Sequence, residues 1–140
     1  MNYPPEMVRP MREELTTIGA KELLTAEAVD QWIDEKGTGV LVINSICGCA
    51  AGMARPGVRM AMQSQNRPAR FATVFAGQDL EAVAKARSRF GNIPPSSPSV
   101  ALLKDGVVVD FLPRQGIERR SAEQVRDDLV AMFDKHFAKG

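Results

Sequence analysis

With two cysteines and one histidine in 140 residues, the sequence holds too few soft ligands to close a four-ligand zinc site within one chain. It also holds too few cysteines for a disulfide-dense scaffold. It has no apolar run near the ~20 residues of a membrane span, and its start, Met1-Asn2-Tyr3-Pro4-Pro5-Glu6, lacks the apolar core of a signal peptide. Nor does one sign of charge dominate. Eighteen basic side chains against seventeen acidic ones leave a net charge of +1, which supplies no global field for nucleic acid or a membrane surface. These absences lead to the expectation of a cytoplasmic protein with neither nucleic-acid nor membrane partners. The 44% hydrophobic content is enough for one core, so residues 1–140 read as a single domain.

Both cysteines fall together, in Ser45-Ile46-Cys47-Gly48-Cys49-Ala50-Ala51. Ahead of them, Gly39-Val40-Leu41-Val42-Ile43-Asn44 is rich in β-branched residues and bounded by glycine, the pattern of a buried strand. The thiols then stand where a strand ends and a helix begins. A helix N-terminus carries roughly half a positive charge and free N–H donors, which favour thiolate over thiol. In a reducing compartment a close pair of this kind is more often catalytic or metal-binding than a structural staple.

Along the rest of the chain, Met7, Met11, Leu15 and Ile18 recur at helical spacing, with Pro10 near the first turn and Gly19 as the stop. Lys21 to Leu24 is a candidate short edge strand. Thr25 can cap a helix carrying Val29, Trp32 and Ile33. The cysteine helix is expected from about Cys47 to Ser64, kinked at Pro56. A strand over 70–76 follows, then a helix capped by Asp79 that runs through Arg89. Asp105-Gly106 between two apolar runs predicts a hairpin, and Ser121 with Gln124 predicts a capping box on the final helix.

A strand-helix-strand unit requires a parallel pair, and the hairpin adds an antiparallel one. The expected fold is therefore α/β and thioredoxin-like: a four-stranded mixed sheet flanked by helices on both faces, with an extra N-terminal helix. Thioredoxins carry a cis proline eight residues ahead of the hairpin glycine, facing the active cysteine, and Pro98 stands eight before Gly106. The segments Asn44 to Gly52 with Ala54-Arg55-Pro56, Pro94-Pro95-Ser96-Ser97-Pro98-Ser99, Met11 to Leu15 and Gly77-Gln78-Asp79 resemble the signatures of the bacilliredoxin family. The resemblance implies removal of a low-molecular-weight thiol such as bacillithiol from S-thiolated client proteins, with no cofactor and no metal. It departs from the family pattern at Gln115 and Arg119, where histidine and glycine are expected, and near Phe137, where some members carry a third cysteine. The buried aspartate of thioredoxins, six residues before the first cysteine, is replaced by Leu41.

On this reading Cys47 is the nucleophile and Cys49 the resolving or tuning thiol. Pro98, Ser97, Gly48 and Arg55 are expected to contact substrate: Pro98 shapes a docking groove, Gly48 lets the backbone bend, and Arg55 meets an anionic group on a thiol adduct. Arg114 has similar standing to Arg55. The rival readings are two cysteines packed as small apolar residues, a metal site shared across a homodimer, and Cu(I) held by both thiolates with Met53. A non-catalytic redox-sensing or metal-binding module would use the same pair. His136 and the methionines at 53, 60 and 62 read as a helix-end dipole partner and as core or groove lining.

Overall fold

A computed structural model describes residues 2–138. In chain order the elements are α1 (Pro5–Thr16), β1 (Lys21–Glu22), α2 (Ala26–Asp34), β2 (Thr38–Asn44), a π-helical turn (Ala50–Ala54) continuing into α3 (Arg55–Ala61), β3 (Arg70–Phe75), α4 (Leu80–Ser88), β4 (Ser99–Lys104), β5 (Val107–Leu112), a 3-10 turn (Arg114–Gly116) and α5 (Ala122–Phe137). The sheet has five strands, in the order β1-β3-β2-β4-β5, one more than the four expected. The extra strand is the edge candidate: Lys21 and Glu22 pair in parallel with Ala72 and Thr73. Two paired residues are too short for an alternating pattern to declare a strand.

The core of the sheet follows the expected logic. β2 and β3 run parallel, while β2–β4 and β4–β5 are antiparallel. Because successive side chains on a strand point to opposite faces, Val40 and Val42 face a layer with Val58, Val125, Leu129 and Phe133, while Leu41 and Ile43 face Val29, Trp32, Ala82 and Ala86. The first layer is closed by α1, α3 and α5, the second by α2 and α4. β2 is buried on both sides, which is why it reads as an unbroken apolar run. Gly57 lets α3 approach α5, since a Cβ there would stand 2.6 Å from Val125 Cγ1.

Local chemistry explains most boundaries. Thr25 Oγ1 accepts from the Ala28 amide, and Ser121 and Gln124 form the reciprocal capping box. The hairpin turn holds Asp105 and Gly106 at φ 51° and 84°, positive values that suit Asp-Gly. Asp79 departs from expectation. Its carboxylate makes no cap on α4 and instead accepts from Arg12 at 2.7 and 3.0 Å and from the Phe75 amide at 3.0 Å. A tertiary guanidinium outcompetes the local helix end because a charge-assisted bidentate pair is roughly twice as strong as a neutral hydrogen bond. On α1 the buried face is Val8 and Leu15, not Met7, which is 45% exposed.

The cysteine helix differs in shape from the expected one. It ends at Ala61, not Ser64, and its irregularity lies ahead of Pro56, where Arg55 N–H bonds back to the Ala50 carbonyl in a five-residue step. Pro56 has no N–H to offer the Gly52 carbonyl, and its ring crowds that carbonyl; a widened turn relieves both constraints.

Candidate active site

The site forms where β2 ends. Asn44 is the last residue of that strand, and the chain crosses Ser45 and Ile46 before the helix begins after Cys47. The Cys47 carbonyl accepts from the amides of Ala50 (2.9 Å) and Ala51 (3.2 Å), and the Cys47 amide donates to Ser45 Oγ at 3.0 Å. These bonds fix the sulfur beside the first free amides of the helix. Cys47 is half-buried, Cys49 is 8% exposed, and their Sγ atoms are 2.6 Å apart.

The two thiols are electrostatically unlike. Hydrogen bonds from the Cys49 thiol and then the Cys49 backbone hold the Cys47 pKa below the ordinary thiol value, with smaller help from the Arg114 charge and the Ala50 amide. Burial, and then the Cys47 sulfur beside it, pushes the Cys49 pKa up. Cys47 is therefore the more readily ionised of the two thiols, and Cys49 the one that keeps its proton to higher pH. The same asymmetry sets opposite stability trends. The lowered Cys47 value adds stability above the ordinary thiol pKa that is lost as pH falls through the folded value. The raised Cys49 value adds stability below the ordinary thiol range that is lost as pH rises through its folded value.

A chemical test follows from the order of these causes. Alkylation of Cys47 by iodoacetamide, followed by mass spectrometry across pH, should show a midpoint below that of a model thiol. The midpoint should stay low in Cys49→Ser, which keeps a donor, and rise in Cys49→Ala, which has none. An unmoved midpoint in Cys49→Ala would remove the inter-thiol hydrogen bond as the leading cause.

Around the thiols, the sequence-derived residues divide. The register opposes Ile43 to Ser99, so the Ser97–Pro98 peptide, which is cis, lies beside the β2 end that leads to Cys47. Pro98 is buried and Ser97 half-buried. Gly48 is exposed, its φ is not positive and a Cβ there would meet nothing within 4 Å, so backbone freedom is not what glycine supplies. It leaves the surface beside the sulfurs bare.

Arg55 is corrected outright. It is 2% exposed, and its Nη1 donates to Asn44 Oδ1 (2.9 Å) and the Ser45 carbonyl (2.8 Å). Its Nε stands 3.2 Å from Glu14 Oε2, an ion pair without an aligned hydrogen bond. The guanidinium is consumed in holding the loop and faces no solvent. Asn44, which the sequence reading passed over, completes this network: its Oδ1 also accepts from the Ser45 amide and its Nδ2 donates to the Met11 carbonyl of α1.

The exposed cation of the site is Arg114. Its Nη1 donates to the Ser97 carbonyl (3.3 Å), its amide to Ser96 Oγ (3.3 Å), and its Nε to Glu118 Oε2 (3.2 Å). Those contacts hold it against the proline loop, near enough to the thiols for its charge to act on them. From the sequence alone Arg114 and Arg55 have equal standing, and the topology separates them. β4 starts at the thiol end of the sheet and β5 runs back antiparallel, so residue 114 returns to that end. His136 Nε2 lies 3.0 Å from Asp110 Oδ2 on β5, and Met53 and Met62 pack against the core. Among the described residues, no three of His, Cys, Asp and Glu cluster to hold a metal, and no helix is long and apolar enough to cross a membrane.

A cysteine of lowered pKa at the start of a helix, a second thiol in contact with it and a neighbouring cis proline on this sheet define a thioredoxin-fold thiol–disulfide oxidoreductase. Solved thioredoxins share the architecture. The oxidised protein from Plasmodium falciparum superposes with a TM-score of 0.58 at 16% identity, covering 86% of this chain and 100% of that one. The Fasciola hepatica thioredoxin gives 0.58 at 22%, covering 83% and 98%. The family described as Disulphide isomerase matches residues 3–137. Bacilliredoxins from Shouchella clausii (50% identical; 98% of this chain, 95% of that protein) and Cytophaga hutchinsonii (49%; 95% and 98%) align almost end to end. The chain belongs to the bacilliredoxin family.

Proposed function

We propose that this oxidoreductase removes a low-molecular-weight thiol of the bacillithiol type from mixed disulfides on client proteins in the cytoplasm. The observation that carries the reading is the division between a half-exposed, acidified Cys47 and a buried Cys49 whose proton is held. Thiolate attack requires ionisation and access, and only Cys47 combines them. The Cys47 sulfur attacks the small-thiol sulfur of the mixed disulfide. A Cys47–S–S–R bond forms, the R–S–S–client bond breaks, and the electron pair leaves with the client sulfur, which is reduced and takes up a proton. Cys49 then serves as the resolving thiol: its sulfur can attack Cys47 and expel the small thiol. Pro98, Ser97 and the bare surface at Gly48 shape the groove in which the client strand lies. The reaction uses thiols and disulfides alone.

The test is intact mass. Reduced protein mixed with a peptide carrying a small thiol as a mixed disulfide should gain the mass of that thiol on Cys47, or lose two hydrogens as the Cys47–Cys49 disulfide, while free peptide thiol appears in equal amount. Transfer of the peptide itself to Cys47, with release of the small thiol, would overturn the reading.

A further inference from the structure

Arg114 is held on two sides and open on a third. Its Nη1 is fixed to the Ser97 carbonyl and its Nε to Glu118, yet its side chain is 43% exposed and, among the described residues, Nη2 makes no hydrogen bond. The side chain spans from the Glu118 carboxylate to the proline loop beside the two sulfurs. Next to it in the chain, Pro113 and Gln115 join Ile93, Pro94, Pro95 and Phe111 in lining a cleft of about 300 Å³ that is mainly apolar and carries no cation. Arg55, the other arginine near the loop, is sealed beneath it. A negative group entering with a disulfide at Cys47 therefore meets Arg114. A guanidinium with an open Nη2 offers a carboxylate a charge-assisted hydrogen bond.

We propose that Arg114 is the specificity-determining residue of the site: its open Nη2 donates to a carboxylate on the small thiol being transferred, so acidic thiol adducts are removed in preference to neutral ones. The inference rests on the transfer of a small thiol to Cys47 argued above. Transfer places that thiol's sulfur on Cys47, beside the proline loop to which Arg114 is bonded. Glu118 engages Nε and Ser97 engages Nη1, which leaves Nη2 as the donor for the incoming anion. Arg114 takes no part in bond making; it favours the adducts that bring a carboxylate to it.

Two mixed disulfides of one neutral cysteine peptide separate charge from the rest, one with mercaptosuccinate and one with 1-thioglycerol. Release of peptide thiol is followed in single turnover with excess reduced protein, and each rate is divided by that of a free model thiolate with the same probe. The wild-type chain should favour the mercaptosuccinate probe by about tenfold, the worth of one charge-assisted hydrogen bond. Arg114→Gln should bring that ratio to about one, Arg114→Lys should keep part of it, and added salt should lower it, because an exposed charge pair is screened. Any effect of the substitution on the Cys47 thiolate or on folding changes both probes alike and leaves the ratio untouched. A wild-type ratio near one, or an equal ratio in Arg114→Gln, would overturn the role of Arg114 and leave thiol transfer standing. Failure of the wild-type chain to release peptide from either probe would instead bring down the transfer reading and this inference with it.

Discussion

Cys47→Ser should abolish peptide release in the single-turnover assay, lowering its rate by on the order of a thousandfold or more, the scale at which removing a covalent nucleophile acts. A serine hydroxyl stays protonated where the thiol ionises, so neither the helix N-terminus nor the Cys49 proton can activate it. Cys49→Ser should behave differently. It retains a donor to Cys47 and so should still accept the small thiol, but the adduct should persist because no second sulfur expels it. Intact mass would show a stable adduct on the variant and a transient one on the wild-type chain. Equal inactivity of both variants would exclude a route through one sulfur and make the dithiol obligatory.

The largest effect on stability is expected at Arg55. Removing it by Arg55→Ala leaves Asn44 Oδ1 and the Ser45 carbonyl without their buried donor and deprives Glu14 of its partner. It also empties the largest fully buried side-chain volume among the described residues. Loss of one partner from a buried charged network costs roughly 3–5 kcal/mol, a large fraction of the 5–15 kcal/mol by which a domain is ordinarily stable. Urea unfolding followed by circular dichroism should show the midpoint falling with little change in slope. Arg55→Lys should recover only part, since an ammonium cannot span both acceptors and Glu14 in one plane. A midpoint within about 0.5 kcal/mol of wild type, the range of ordinary surface changes, would mean that the network adds nothing to the fold.

What the sequence made legible was chiefly local. The Asp105-Gly106 turn, the Ser121–Gln124 box and the Thr25 cap each depend on atoms a few residues apart, and each forms as read. The position of the thiols was legible for a similar reason, because an apolar strand followed by small residues fixes a strand-to-helix junction. Asp79 and Arg55 were misread because their partners lie far away in the chain. Helix-end chemistry favours a cap at Asp79, and only the folded arrangement brings Arg12 to it. Periodicity places Arg55 two turns beyond the cysteines, but the widened turn at Ala50–Ala54 changes the face on which it emerges and sends it under the loop. The exposed cation of the site is Arg114, which has the strand register rather than a motif to announce it.

The widened turn has a consequence for how the site is aimed. In a regular α-helix each residue advances the azimuth by about 100°, so the direction of the thiols and the direction of the Gly57–Val58–Ala61 face would be locked together. A five-residue step between them acts as a one-residue insertion absorbed within the helix. It uncouples the two phases. The direction of the cysteine segment is thus set by the wide step that Pro56 imposes, while the downstream face keeps its own register against α5.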